Sequence, residues 1–138
     1  MPASRNSFRR TAHSSGVPAT AIDSYDPTAR VLTIPAVFDQ VAARLGRLDI
    51  LVNNAGAVWG APAEDHPLEA WDKVMDLNVR GYFILSQYLA KHSMIPRRQG
   101  SIINIASIAG LAGNPRGMNT IAYNTSKGAV VNFTRALA

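Results

Sequence analysis

The chain has 138 residues, of which 47% are hydrophobic and 17% charged, a composition that predicts one globular domain with a hydrophobic core. It contains no cysteine, which excludes disulfides, thiolate metal sites and cysteine nucleophiles. The net charge of +5 forms no basic stripe and no apolar run approaches the ~20 residues of a membrane span, so we expect neither a nucleic-acid nor a membrane partner.

Residues 1–19 differ in composition from the rest of the chain. They contain Arg5, Arg9 and Arg10 among serines, prolines and alanines, they have no acidic residue, and their apolar residues follow no periodicity. A start rich in serine and arginine is also found in organellar transit segments, whereas no apolar segment follows that would indicate an export signal. We expect a disordered basic tail on a cytoplasmic protein, with residues 20–138 forming the folded domain.

Residues 20–53 predict an alternation of strand and helix. An Asp-Pro turn signal is followed by the β-branched run 30–34, which predicts a strand. Apolar residues recur every four positions in 36–45, as on the buried face of a short helix. The nearly continuous apolar run 48–53 predicts a strand covered on both faces. This order indicates an α/β fold with a parallel sheet.

The sequence Asn53-Asn54-Ala55-Gly56 closes the second predicted strand. Ligands of open α/β sheets bind where the strands end, and small residues there let the backbone approach a ligand closely. Asn-rich turns also follow many strands that bind nothing, so these residues alone leave both interpretations open.

A long helix is predicted from residue 67 to residue 93. Its proline start and acidic first turn are typical of a helix N-terminus, and the apolar residues that follow have helical spacing. Asn78 falls on the apolar side, where a buried amide needs hydrogen-bond partners; taken alone, it is more typical of a satisfied core amide than of a catalytic group. Gly81 is compatible with a local distortion of the helix.

The chain after this helix predicts a turn, a strand and a loop. We interpret the basic residues of 96–100 as a surface turn. The isoleucine-rich run 101–106 predicts a strand, and Ser107 follows its carboxyl end. A lone serine at such a place is usually a loop hydroxyl, but it is also a candidate donor to a substrate carbonyl. Residues 110–120 contain three glycines and a proline, which predict a flexible loop over the site.

Tyr123 and Lys127 lie four residues apart in a run that predicts a helix over 123–138, so they share one face of it. A free tyrosine is a poor base at neutral pH, and a nearby ammonium group favours its phenolate form. Such a pair is suited to exchanging a proton with a substrate oxygen. The same spacing is common on ordinary helix surfaces, so the pair alone does not decide the function.

These motifs, in this order, resemble the short-chain dehydrogenase/reductase family from about residue 48 onwards. Within the family, the segment from Gly113 to Lys127 is most similar to gluconate 5-dehydrogenase-type and related polyol or sugar dehydrogenases. The resemblance implies a Rossmann-type doubly wound parallel sheet. It also implies hydride transfer between NAD or NADP and a secondary alcohol or ketone, with no metal.

The resemblance further implies a role for each candidate catalytic residue. Tyr123 is expected to be the general acid and base, and Lys127 to favour its phenolate. Ser107 is expected to orient and polarise the substrate oxygen. Asn78 is expected to kink its helix and to anchor a water of the proton relay.

On the cofactor side, the resemblance implies contacts from two parts of the chain. Asn53 is expected to brace the central sheet at the cofactor site, and the backbone of Ala55 and Gly56 to lie against the cofactor ribose. Tyr123 and Lys127 are expected to bind the ribose next to the nicotinamide.

The chain departs from the family pattern at both ends. The family begins with a Gly-x-x-x-Gly-x-Gly turn that binds the pyrophosphate, whereas Gly16 is the sole glycine before Gly46. We therefore expect only the central strands and helices of the fold, weak cofactor binding, and an exposed edge at strand 101–106. The alternative to an oxidoreductase is a catalytically incompetent remnant, at most an oligomerising or structural module. In both cases we expect a homo-oligomer formed through helices 67–93 and 123–138.

Overall fold

A computed structural model of the chain describes residues 27–138. The expected basic tail, residues 1–19, lies outside the described residues. The described part contains helices packed on a small parallel sheet, so the predicted α/β class is confirmed. No helix in residues 27–138 is long and apolar enough to cross a lipid bilayer.

The first described element is a helix, α1 (Pro27–Leu45). Helix α1 includes the predicted helix 36–45. The predicted strand 30–34 is wrong, because residues 30–34 lie in the first half of α1. A strand needs a neighbouring strand to pair its N–H and C=O groups, whereas a helix pairs most of these groups within itself. The hydrogen bonds gained within the helix outweigh the β propensity of residues 30–34. The helix ends at Leu45 and is followed by Gly46, whose φ of 75° favours a residue without a side chain.

Two parallel strands form the sheet, β1 (Ile50–Asn53) and β2 (Ser101–Asn104). Their register pairs Ile50 with Ser101 and Asn53 with Asn104, so the two carboxyl ends lie side by side. The strands are shorter than the predicted runs 48–53 and 101–106. Within residues 27–138 neither strand has a second neighbour, which agrees with the exposed edge expected at β2.

The connection between the strands is a long helix, residues 68–97, which begins one residue after the predicted start and ends four residues after the predicted end. Its regular parts are α2 (Leu68–Met75), α3 (Gly81–Leu89) and α4 (Ile95–Arg97). Two π-helical turns, Asp76–Arg80 and Ala90–Met94, interrupt them. In the first, Gly81 N–H donates to Asp76 C=O, five residues back. The expected distortion near Asn78 is therefore an inserted residue.

The last helix, α5 (Ile121–Leu137), packs against the long helix and against the 3₁₀ turn Ile108–Gly110. A Cβ built on Gly110 would collide with the backbone of Lys127 and Gly128, so only glycine permits this close approach. The turn that follows β2 is thereby held against the middle of α5. The buried apolar residues of this assembly are Ala70, Val74, Tyr82, Leu89, Met94, Ala122 and Val130.

Candidate active site

The carboxyl ends of the two strands are joined by side-chain amides. Asn53 Nδ2 donates to Asn104 Oδ1 at 2.8 Å and to Ser86 Oγ at 3.0 Å. Asn104 Nδ2 in turn donates to Thr134 Oγ1 at 3.1 Å. These contacts tie β1 to the long helix and β2 to α5. They also turn the Asn53 side chain into the protein, so its contact with a cofactor remains a prediction.

Asn78 lies in the first π-helical turn and is 0% exposed. Its Oδ1 accepts from Ala57 N–H at 2.8 Å, and its Nδ2 donates to Ala57 C=O at 2.9 Å and to Ser126 Oγ at 2.9 Å. Both side-chain N–H groups and the carbonyl oxygen are therefore used. Asn78 clamps the loop after β1 between the long helix and α5.

The clamped loop carries Asn54, Ala55 and Gly56, all of which are exposed. A Cβ built on Gly56 would lie 3.5 Å from Asn78 Oδ1 and 3.9 Å from Lys127 Nζ. The Gly56 backbone thus lies beside two buried polar groups, those of Asn78 and Lys127, while remaining exposed and open to a ligand. Ala61 N–H donates to Asn119 C=O at 2.8 Å, which ties the far end of this loop to the segment before α5.

Lys127 is the buried cation of this region, with 4% of its surface exposed. Its Nζ donates to Ile105 C=O at 2.6 Å and lies 5.8 Å from the centre of the Tyr123 ring. Burial lowers the pKa of Lys127, because a charged amine loses hydration there. Among the described residues no carboxylate forms an ion pair with it.

Tyr123 and Ser107 come from two different elements, α5 and the segment that follows β2. Tyr123 is half-buried one turn earlier on α5. Ser107 caps the 3₁₀ turn, and its Oγ accepts from Ala109 N–H at 3.1 Å. A serine hydroxyl that accepts one hydrogen bond still has its own proton to donate.

A cleft of 360 Å³ opens between Ala61 and the loop that precedes α5, and its lining extends into the first turn of α5 as far as Asn124. Asn114 holds this loop in shape, because its Nδ2 shares its two hydrogens among Met118 C=O, Thr120 Oγ1 and Asn124 Oδ1. Arg116 is the charged residue of the cleft lining, and Gly117 beside it has a φ of 90°.

Known proteins are similar to this chain in both sequence and fold. The family model described as short chain dehydrogenase matches residues 14–138. The chain belongs to the short-chain dehydrogenase/reductase family. The 2-dehydro-3-deoxy-D-gluconate 5-dehydrogenase of Escherichia coli is 41% identical to it over 105 residues, which are 76% of this chain and 40% of the relative. The gluconate 5-dehydrogenase of Gluconobacter oxydans is 36% identical over 137 residues, 97% of this chain and 52% of the relative.

Solved structures of the family agree with this assignment. An NAD⁺-bound xylitol dehydrogenase superimposes with a TM-score of 0.71 at 36% identity and covers 78% of this chain and 40% of its own. A short-chain type dehydrogenase/reductase from Mycobacterium marinum gives a TM-score of 0.73 at 37% identity, with 78% and 42% covered. The chain spans about half the length of these relatives or less. The predicted family and the partial Rossmann-type fold are therefore confirmed.

Three residues that matter in this short-chain dehydrogenase/reductase chain were missed by the sequence analysis. Tyr82, an apparent core aromatic, has its ring against Lys127. Ser126 bonds Asn78 and donates to Tyr123 C=O at 2.7 Å. Arg97, interpreted as part of a surface turn, binds Leu48, Asp49 and Ser93. The four-residue spacing of Asn78 and Tyr82 was the available signal for the first of them.

Proposed function

We propose that this chain is an oxidoreductase of the short-chain dehydrogenase/reductase type that transfers a hydride between NAD or NADP and a secondary alcohol or ketone. The observation that carries the proposal is the environment of Lys127. A buried ammonium group lies against the Tyr123 ring, binds the carbonyl that follows β2, and faces the open backbone of Gly56. A phenol and a cation so placed at the strand ends of an α/β sheet suit proton exchange with a bound alcohol.

The residues present fit the nicotinamide end of such a cofactor. Ribose hydroxyls need donors and acceptors, which Lys127 Nζ and the Tyr123 hydroxyl offer, and the exposed backbone of Ala55 and Gly56 leaves room for a flat sugar. A bound nicotinamide supplies or accepts the hydride. The cofactor pyrophosphate lacks its usual binding motif, since the sequence before Gly46 contains no glycine-rich turn.

The proton is assigned to this chain's own side chains. In alcohol oxidation, the Tyr123 phenolate takes the hydroxyl proton while the carbinol carbon gives up its hydride; in ketone reduction, the phenol returns the proton. Lys127 stabilises the phenolate through its charge. Ser107 donates to the substrate oxygen. Because the Asn78 side chain is fully used within the protein, we assign the relay water to the main-chain carbonyl of its π-helical turn.

For the substrate we propose a sugar acid or a polyol. The Escherichia coli and Gluconobacter oxydans relatives are named for sugar acids, and the NAD⁺-bound structure is that of a xylitol dehydrogenase. The cleft beside the N-terminus of α5 offers the Arg116 cation and a row of amides, which suit a carboxylate and hydroxyl groups.

The test is turnover by the wild type and by Tyr123→Phe, with NAD and NADP, on paired sugar acids and neutral polyols. Loss of a general acid/base is expected to lower kcat about 100-fold or more. Tyr88→Phe is the matched control, since the Tyr88 ring lies against Phe38 and His92, away from Lys127. A Tyr123→Phe protein that retains wild-type turnover would refute the assignment.

The competing function is an incompetent remnant with a structural role. It is supported by the missing glycine-rich turn and by a sheet of two strands in residues 27–138. Equilibrium titration with NADH and NADPH separates the two functions. Dissociation constants in the micromolar range favour the oxidoreductase, and millimolar or absent binding favours the remnant.

Two further expectations accompany either function. Association through the long helix and α5 is supported by Phe83, which is 48% exposed and pairs with Phe133 at 6.5 Å between ring centres. A monomeric sedimentation coefficient at micromolar concentration would contradict this homo-oligomer.

A cytoplasmic location and a folded domain that begins near residue 20 remain predictions. Localisation of a tagged chain tests the first, and limited proteolysis tests the second.

A further inference from the structure

Tyr82 is a buried phenol that the proposed mechanism does not use. It is 1% exposed and lies one helical turn after Asn78 on the face of the long helix that meets α5. Its ring centre is 5.5 Å from Lys127 Nζ, and its hydroxyl donates to Ile105 C=O at 3.4 Å. A core aromatic would be served equally well by a residue without a hydroxyl, so the position of this polar tip needs a separate explanation.

The tip of Tyr82 and the ammonium of Lys127 share one acceptor. Ile105 C=O receives Lys127 Nζ at 2.6 Å as well as the Tyr82 hydroxyl. The ammonium therefore lies against two aromatic rings, those of Tyr82 and Tyr123, and binds a carbonyl that Tyr82 also binds. Aromatic faces attract cations, and the attraction is strongest where water is excluded.

We propose that Tyr82 is a positioning residue for Lys127, whose ring keeps the buried amine charged and whose hydroxyl fixes the Ile105 carbonyl that this amine binds. The catalytic consequence rests on the proposed function; the effect on Lys127 does not. No carboxylate among residues 27–138 pairs with Lys127, so the two rings and one carbonyl are the groups available to stabilise its charge.

The electrostatic surroundings are consistent with this role. In the described part of the chain, the titratable groups that face Lys127 are the phenols of Tyr82, from the long helix, and Tyr123, from its own helix. Burial, with a smaller contribution from Tyr123, raises the pKa of Tyr82, so its hydroxyl stays protonated and keeps donating. Burial lowers the pKa of Lys127, and an aromatic face acts against this loss of charge.

The direct test reads Lys127 itself and needs no activity. The chain contains three lysines, and the other two, Lys73 and Lys91, are exposed. With lysine labelled by ¹³C at Cε, the NMR titration of the full chain therefore gives one buried signal and two internal controls. Tyr82→Leu removes the ring, so the Lys127 midpoint is expected to move to lower pH while the controls stay in place. An unchanged Lys127 midpoint overturns the proposal.

Two measurements keep the test decisive if Tyr82→Leu does not fold. In the wild type, ring currents from Tyr82 and Tyr123 should move the Lys127 ε protons upfield of those of Lys73 and Lys91; coincident signals contradict the geometry. Tyr82→Phe keeps the ring and loses the hydroxyl, so the midpoint should stay near the wild-type value while the Lys127 ε signals broaden or shift. Unchanged Lys127 ε signals in Tyr82→Phe would show that the Tyr82 hydroxyl does not fix the Ile105 carbonyl, and they would overturn that part of the proposal.

The catalytic consequence is tested by pH profiles of kcat/KM. Loss of the ring is expected to lower kcat/KM roughly threefold to tenfold at neutral pH and to move the alkaline limb to lower pH. Tyr88→Leu removes a ring of the same helix that lies away from Lys127, and it should leave the limb in place. A Tyr82→Leu profile that falls uniformly, with both limbs unmoved, indicates a structural role and overturns the proposal. An inactive wild type defeats the proposed function and leaves the NMR result standing.

Discussion

Two cations lie at opposite ends of the same pair of strands, and they are bound in opposite ways. Arg97 lies at the amino ends, where the long helix stops. Lys127 lies at the carboxyl ends, where α5 crosses the segment after β2. Both side chains join a helix to backbone carbonyls next to the sheet. The difference between them lies in how many partners each cation has.

Arg97 is nearly saturated. Its guanidinium donates to Asp49 Oδ1 at 2.6 Å, to Leu48 C=O at 2.9 Å, and to Ser93 through both the main-chain and the hydroxyl oxygen. The hydrogen bond from Arg97 is the main cause that lowers the pKa of Asp49. With its charge balanced and its donors used, Arg97 has little left to offer a ligand.

Lys127 has one oxygen partner. Two of its three ammonium hydrogens have no acceptor among residues 27–138, although the side chain is more deeply buried than that of Arg97. A buried donor left unpaired costs folding free energy unless a ligand completes its shell. The number of hydrogen-bond partners, rather than burial, therefore separates the structural cation from the one available for binding.

Removing Arg97 should have the largest effect on stability. Arg97→Met breaks four hydrogen bonds and leaves Asp49 with Arg47 alone, so the free energy of unfolding is expected to fall by about 2–3 kcal/mol. Urea unfolding followed by circular dichroism measures it. Arg98→Met, next to it and exposed, should change little. Equal effects of Arg97→Met and Arg98→Met on the free energy of unfolding would contradict the structural role of Arg97.

Removing Lys127 should have a smaller effect. Lys127→Met deletes one hydrogen bond together with a poorly hydrated charge, and Ile105 C=O keeps the Tyr82 hydroxyl. The two effects oppose each other, so the stability is expected to change by less than about 1 kcal/mol in either direction. The same urea measurement, with the exposed Lys91→Met as control, checks it. A loss as large as that of Arg97→Met would end the distinction between the two cations.

The smallest expected effect is at acid pH. Because the folded chain lowers the pKa of Asp49 below its ordinary 3.8, the carboxylate contributes stability above that pH and loses the contribution as the pH falls through the lowered value. The stability difference between the wild type and Asp49→Asn should therefore shrink below about pH 4. Thermal unfolding from pH 3 to pH 7 measures the difference; a gap that stays constant over this range would contradict the pairing.

The sequence was most informative at the carboxyl ends of the strands. The spacing of Tyr123 and Lys127 and the positions of Asn53 and Ser107 after apolar runs depend on local periodicity, which a sequence displays directly. Strand 30–34 was wrongly predicted because a strand depends on a neighbour that the run itself does not specify. The length and ends of the long helix were predicted to within a few residues.

Contacts between distant segments were not predictable. The bonds of Arg97 to Leu48 and Asp49 span about fifty residues, and a basic turn looks the same in sequence whether or not it binds a carboxylate. The contact between the Tyr82 ring and Lys127 could be predicted only if the packing of the long helix against α5 were already known. The π-helical turns arise from a choice of backbone hydrogen-bond partner that carries no distinct composition.

The first of these π-helical turns sets the angular phase of everything that follows it in the long helix. Deleting one residue of Asp76–Arg80 would keep the later side chains in phase, whereas ordinary i→i+4 bonding there with no residue removed would swing every later side chain around the helix axis by about 100°. Ser86 would then turn away from Asn53, and Tyr82 from Lys127. One extra residue in a single turn thus sets the contacts that the second half of the long helix makes with the carboxyl ends of the strands.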